Sequence, residues 1–292
     1  MEAPITAIGF SKIEDEDKLQ EIVKEILDKP TKQLASKTKD KEILGEYYKK
    51  YGENTYLMVR ILVRSEEKDA KIEVEQCEPY VEASHFIDVE DLVVESIDDD
   101  YSYYAVCEEK ETGMPFIFWV QNIIDYIEAQ EENKEFNKVK VVGLATEGTI
   151  ILPIERDEEE ESIEKEEREK FKIMVQRART GDEEAKELLE KEEKELDEQL
   201  KERMLEEDFL SIMSGYFVPT TLEDAIYAIL GEITEIHERK NIKTKEEMYL
   251  FVLNVNDMPL EVMINKKTLV GKPSVGMRFM GTCWLQGTVD CQ

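Results

Sequence analysis

The residues with the best claim to chemistry are Glu82, His85, Asp88, Glu90 and Asp91, a histidine among carboxylates on what reads as a loop between strands. An imidazole with several acids can ligate a metal, with Glu82, His85 and Asp88 as the ligand set, or exchange protons as acid and base. A surface this acidic also places carboxylates beside any histidine. The only other histidine is His237, far along the chain, so a histidine-based triad would draw on both halves of the protein. Asp98-Asp99-Asp100 lacks the alternating ligands, glycine and closing glutamate of a calcium loop and reads as a turn. Glycine-rich nucleotide loops, His-Glu-x-x-His and Gly-x-Ser-x-Gly are absent from the sequence.

A second group of candidates lies near the C-terminus. Val275 to Gly287 is a glycine-punctuated strand, whose glycines suit the coiling and bulges of a small barrel. Alternation puts Phe279, Gly281, Cys283 and Leu285 on one face and Arg278, Met280, Thr282 and Trp284 on the other; in the strand at 260–264 it puts Leu260, Val262 and Ile264 in the core and turns Glu261, Met263 and Asn265 outward. With Met263 from a neighbouring strand, Arg278, Met280 and Trp284 form a candidate binding patch where Trp284 stacks on a base or a sugar. The competing expectation is that this face packs on the rest of the protein.

Charge sets the frame for both groups. The 292 residues carry a net charge of -31, and the 54 positions from Glu155 to Asp208 hold 24 acidic and 12 basic side chains. Such a field repels phosphate backbones and anionic lipid, which argues against duplex nucleic acid and membrane surfaces and leaves protein as the expected partner. The start has no basic n-region or long apolar h-region, and no window approaches the ~20 apolar residues of a membrane span, so a cytoplasmic protein is expected. Cys77, Cys107, Cys283 and Cys291 have no Cys-x-x-Cys spacing, and no cofactor is expected.

The elements that must position these residues divide into three expected units. Residues 1–154 read as an α+β domain with a mostly antiparallel sheet. A strand is expected at 5–10, and an amphipathic helix carries Leu19, Ile22, Val23, Ile26 and Leu27 and stops at Pro30. A second helix is expected at 42–51. Strands follow at 55–64, 71–78, 92–97, 101–108 and 114–120, the last two joined through Gly113, then a helix at 122–129 and two strands, 138–145 and 149–154, turning at Thr146-Glu147-Gly148. Residues 155–214 read as an acidic helical hairpin, with Phe171, Met174 and Val175 opposite Ala185, Leu189, Leu196, Leu200 and Met204, and a new cap at Asp182. Residues 215–292 read as a helix near 221–225 and then a small five-stranded, OB-like β-barrel, with strands at 229–238, 248–255, 260–264 and 276–285, a final one at 288–289 after a break at Gly287, and Asn256-Asp257 turning one hairpin.

Ala7-Ile8-Gly9-Phe10-Ser11, Ala178-Arg179-Thr180-Gly181-Asp182 and the Trp284 strand together resemble a bacterial family of similar length from gut anaerobes, grouped as a domain of unknown function. That resemblance implies no activity, cofactor or site residue. The expected function is a non-enzymatic binding or regulatory protein acting through protein–protein contacts. The alternatives are an enzyme with a carboxylate-rich site near His85, or nucleic-acid binding through the barrel.

Overall fold

The structure is a computed structural model that describes residues 4–13, 16–37, 42–65, 70–97, 102–132, 134, 136–154, 158–189, 191–192, 194, 209–221 and 224–291. Leu196, Leu200, Met204, Asp98-Asp99-Asp100 and part of the 221–225 stretch lie outside them. The fold is mostly β, with few helices and two sheets.

The first sheet is an antiparallel meander, β1 (Lys32–Lys37), β2 (Ile43–Gly52), β3 (Thr55–Ser65) and β4 (Ala70–Val81) in that order. The helix expected at 42–51 is β2. Its tyrosines lie close in sequence, as on a helix, but Leu44, Glu46 and Tyr48 alternate towards the second sheet, and pairing with β3 satisfies the backbone from Ile43 to Gly52. Helix α1 (Glu16–Asp28) lays Ile22 and Ile26 against Leu57, Val59 and Ile61 on the other face, as its stripe dictates. The expected first strand is instead a single 3-10 turn, Ile5–Ile8, closed by Gly9 at φ 86°.

Ten strands make the second sheet: β5 (Ile87–Ile97), β6 (Ser102–Glu109), β7 (Pro115–Val120), β8 (Lys138–Ile151), β9 (Tyr216–Pro219), β10 (Ile226–Lys240), β11 (Glu247–Val255), β12 (Met258–Asn265), β13 (Leu269–Val270) and β14 (Arg278–Val289). The β6–β7 hairpin turns through Gly113 as expected, and Asn256 and Asp257, both with positive φ, turn β11 into β12. Two expected breaks are missing. Thr146-Glu147-Gly148 runs straight through β8, and Gly287 straight through β14, because these strands pair with each other from Val139–Val289 to Ile151–Arg278 and a bulge at Thr282/Cys283 absorbs the twist. Helix α2 (Ile123–Glu131) follows β7.

The pairings close a ring: β8 to β14, β14 to β10, β10 to β11, β11 to β12, and β12 back to β8, the last pair parallel. Strands after residue 215 therefore complete the circuit only through β8. Ile229, Ile233, Phe251, Leu253, Val262, Ile264, Phe279 and Leu285 belong to the larger apolar core on one side of this sheet. Trp284, Leu144, Met263 and Met248 on the opposite side join Phe10, Tyr51, Ile26 and Leu57 in a second core.

Helix α3 (Glu158–Arg179) ends at Thr180-Gly181, with Gly181 at φ 90°, and residues 183–189 are helical again. Asp182 accepts from Ala185 N–H at 3.2 Å, the expected cap. Three basic side chains hold α3 and its end in place. Lys172 pairs with Glu111 and Asp257, Arg177 with Asp182, and Arg179 with Glu90 and Glu108 beside the Gly113 turn. Arg278 ties the segment after β8 to the one before β9, donating to the carbonyls of Leu152 (2.9 Å) and Met213 (2.7 Å).

The N-terminal segment is locked by Glu246, in the turn between β10 and β11. Its carboxylate accepts from Ser11 Oγ and Lys267 Nζ at 2.6 Å and from Asn265 Nδ2 at 2.7 Å. Burial alone would raise this carboxyl, but the hydrogen bonds from Lys267, Ser11 and Asn265 outweigh it and lower it to about 2. The folded value lies below the unfolded one, so the stabilisation is complete above pH 4.5 and is lost as pH falls from 4.5 towards 2. Over that window Glu246 is expected to contribute on the order of 3 kcal/mol. In urea titrations the gap between the wild type and Glu246→Gln should narrow steadily with acid, and a gap independent of pH would refute this assignment.

Candidate binding cleft

A cleft of about 470 Å³ opens where α2 crosses the ends of β8 and β14, lined among others by Phe86, Asp125, Glu128, Lys134, Lys140 and Asp290. Its walls follow from local sequence. Ile123, Ile124 and Tyr126 are buried in the larger core, which turns Asp125 and Glu128 outward on α2. Asn122, ahead of the helix, spends its side chain on the last strand instead of on a cap, donating to Val289 O at 2.8 Å and accepting from Val289 N–H at 3.0 Å. β14 is thereby tied to α2, and the Gln121 N–H to Gly287 O bond (2.8 Å) repeats the tie.

Phe86 precedes β5 and is 48% exposed, a large aromatic left in solvent at the cleft wall. Lys140 on β8 places its ammonium 4.3 Å from the centre of that ring. Lys134 is occupied, pairing with Glu132 at 3.3 Å and donating to Cys291 O at 2.8 Å. Among the described residues Asp125 and Glu128 meet no cation, and Lys140 no carboxylate, within ion-pair distance. The cleft thus presents unpaired charge of opposite sign on two walls with an exposed aromatic ring. Cys291 lies on its floor, and burial followed by Asp125 and Asp290 pushes its thiol up to about 11, so it is a poor nucleophile at neutral pH.

The residues singled out from sequence are placed elsewhere. Trp284 is 8% exposed within the second core, Met263 is fully buried there, and Arg278 is buried on the carbonyls it binds, so with the half-buried Met280 they present no open binding face. The alternation along β14 and β12 is as read. The outer face is covered by α1, the N-terminal turn and the first sheet, which composition alone does not reveal.

Glu82, His85 and Asp88 are separately partnered: Glu82 hydrogen-bonds Tyr56, His85 Nδ1 lies 2.9 Å from Glu261 Oε1, and Asp88 pairs with Lys138 at 3.8 Å. Among the described residues no three of His, Cys, Asp and Glu are grouped to hold a metal. Glu261, expected to face outward, is 2% exposed and accepts from the Ser84 (2.5 Å) and His85 (2.8 Å) amides, pinning the 82–86 loop over β12. Its place amid Leu260, Val262, Met263 and Ile264 was the available signal, since a carboxylate inside an apolar strand must find donors. His237 pairs with Glu235, at 2.9 Å. Cys77, Cys107 and Cys283 are all free, and burial raises each thiol.

The fold and cleft define a mostly β protein with a charged surface recess and, among the described residues, no clustered metal ligands. The chain belongs to the family whose model is described as "Domain of unknown function, E. rectale Gene description (DUF3881)", which matches residues 5–287. No curated protein matches the chain, and no solved structure does. Among the described residues no helix is long and apolar enough to cross a membrane.

Proposed function

We propose that this chain is a non-enzymatic binding or regulatory protein of the cytoplasm that contacts another protein through the α2–β8–β14 cleft. The observation that carries the reading is Phe86, an aromatic ring half in solvent beside charges that meet no counter-ion among the described residues; contact surfaces favour exposed aromatics of this kind. The ring of β8, β14, β10, β11 and β12 is read as a small closed barrel serving as scaffold. Trp284 and Met263, the residues expected to form its stacking face, are covered, which supports protein over single-stranded nucleic acid as the partner.

One observation favours an enzyme instead. His85 is held by a buried carboxylate through Nδ1, the arrangement that orients a general base. Among the described residues no metal-ligand set accompanies it, and its amide-bound carboxylate already has a structural task, so the binding reading stands first.

Affinity capture from native lysate at low ionic strength tests the proposal. Wild type should retain a protein that Phe86→Ser loses while the two melt alike. A partner retained equally by both would remove the cleft from the function.

A further inference from the structure

Asp125 and Glu128 bring negative charge and Lys140 positive charge to a cleft that Glu132, Lys134 and Asp290 also line, and this specifies an occupant more closely than "a protein". Asp125 and Glu128 stand three residues apart on α2 and so project on one side of the helix. Lys140 stands on β8, its ammonium over the Phe86 ring and without a carboxylate among the described residues. The neighbouring cations are used within the fold, Lys138 by Asp88 and Lys134 by Glu132. Had the cleft only a structural task, opposite charges around one recess could neutralise each other; here they stay apart, and a ligand carrying both signs pairs with each.

Resting on the reading that the cleft binds protein, we propose that it takes a partner segment that presents a basic side chain to Asp125 and Glu128 and a carboxylate to Lys140, with an apolar group between them on the exposed part of Phe86. The acidic wall selects the cation, since two carboxylates on one helix side attract an ammonium or guanidinium by hydrogen bond and charge together. The lysine wall sets direction, because a segment entering backwards brings like charges face to face on both sides.

Nuclear magnetic resonance of the full-length, isotope-labelled chain with acetyl-Arg-Ala-Ala-Glu-amide tests this directly. Amide shifts that saturate at residues 86, 122–129, 138–141 and 288–290 are expected. Acetyl-Gln-Ala-Ala-Gln-amide should leave those amides unmoved. The Asp125→Asn/Glu128→Gln double variant and Lys140→Gln, each folded by its own spectrum, should bind the charged peptide about tenfold more weakly. Absence of saturation, equal binding of the neutral peptide, unchanged affinity in the variants, or the same response from free arginine, which would make this a small-molecule site, would each overturn the proposal. Capture of a partner that Phe86→Ser abolishes, with no response to the charged peptide, would sink this inference and leave the binding reading standing.

Discussion

Arg60→Ala is expected to lower the unfolding free energy by about 3–5 kcal/mol. Arg60 on β3 is 1% exposed and its partner Glu46 on β2 is 0% exposed, with Nη2 to Oε1 at 3.1 Å and Nε to the same oxygen at 3.3 Å. Arg60 also donates to Gln76 on β4, which donates on to Ser102 on β6, and Tyr48 donates to Glu46 Oε2 at 2.7 Å. This network stitches the first sheet to the second. Removing the guanidinium leaves the Glu46 carboxylate buried with the Tyr48 phenol as its remaining donor among the described residues, and an uncompensated buried charge is the costly outcome. An Arg60→Met/Glu46→Leu double variant should recover a large part of the loss, because neither ion is then left alone. Urea unfolding of the three proteins decides it. If the single variant loses under 1 kcal/mol, or the double variant is the worse of the two, the network does not hold the sheets together.

Gly287→Ala is expected to cost about 2–3 kcal/mol or to prevent folding, although it adds one methyl group. At Gly287 β14 meets Val141 of β8 on one side and Val120 of β7 on the other. A Cβ there would run into the Lys140 carbonyl oxygen and come within 2.9 Å of the Phe118 ring. The carbonyl is backbone in the sheet and cannot step aside without disturbing the β8–β14 pairing. The same substitution at Gly181, where no described residue beyond its chain neighbours stands within 4 Å of the added carbon, strains only φ and should be milder. Equal melting temperatures for the two variants would show that the approach at Gly287 is looser than its geometry states.

Much of the architecture is legible from local pattern. The stripe of Ile22 and Ile26 gives α1, the β-branched run from Tyr56 gives β3, Gly113 and Asn256-Asp257 give their hairpins, and Asp182 gives its cap. Local pattern misleads where a pairing partner distant in sequence decides the structure. β2 became a strand because β3 was there to pair with it. β8 ran through Gly148, and β14 through Gly287, because each had the other alongside. The site was less legible for the same reason. Trp284 reads as a stacking residue until α1 and the first sheet lie over it, and Glu261 reads as surface until the 82–86 loop crosses it. Phe86, one residue from the favoured histidine, carries no pattern of its own. Its exposure follows from the junction of α2, β8 and β14, and no window of sequence contains all three.

Placing a photo-crosslinking phenylalanine analogue at position 86 in living cells tests the central claim most directly, with Ile242, exposed on a distant turn, as the control position. A discrete protein adduct from position 86, absent at position 242 and lost on adding Asp125→Asn/Glu128→Gln, is the expected result. No adduct at 86, or the same adducts at both positions, would contradict the account of this cleft as the protein's binding site.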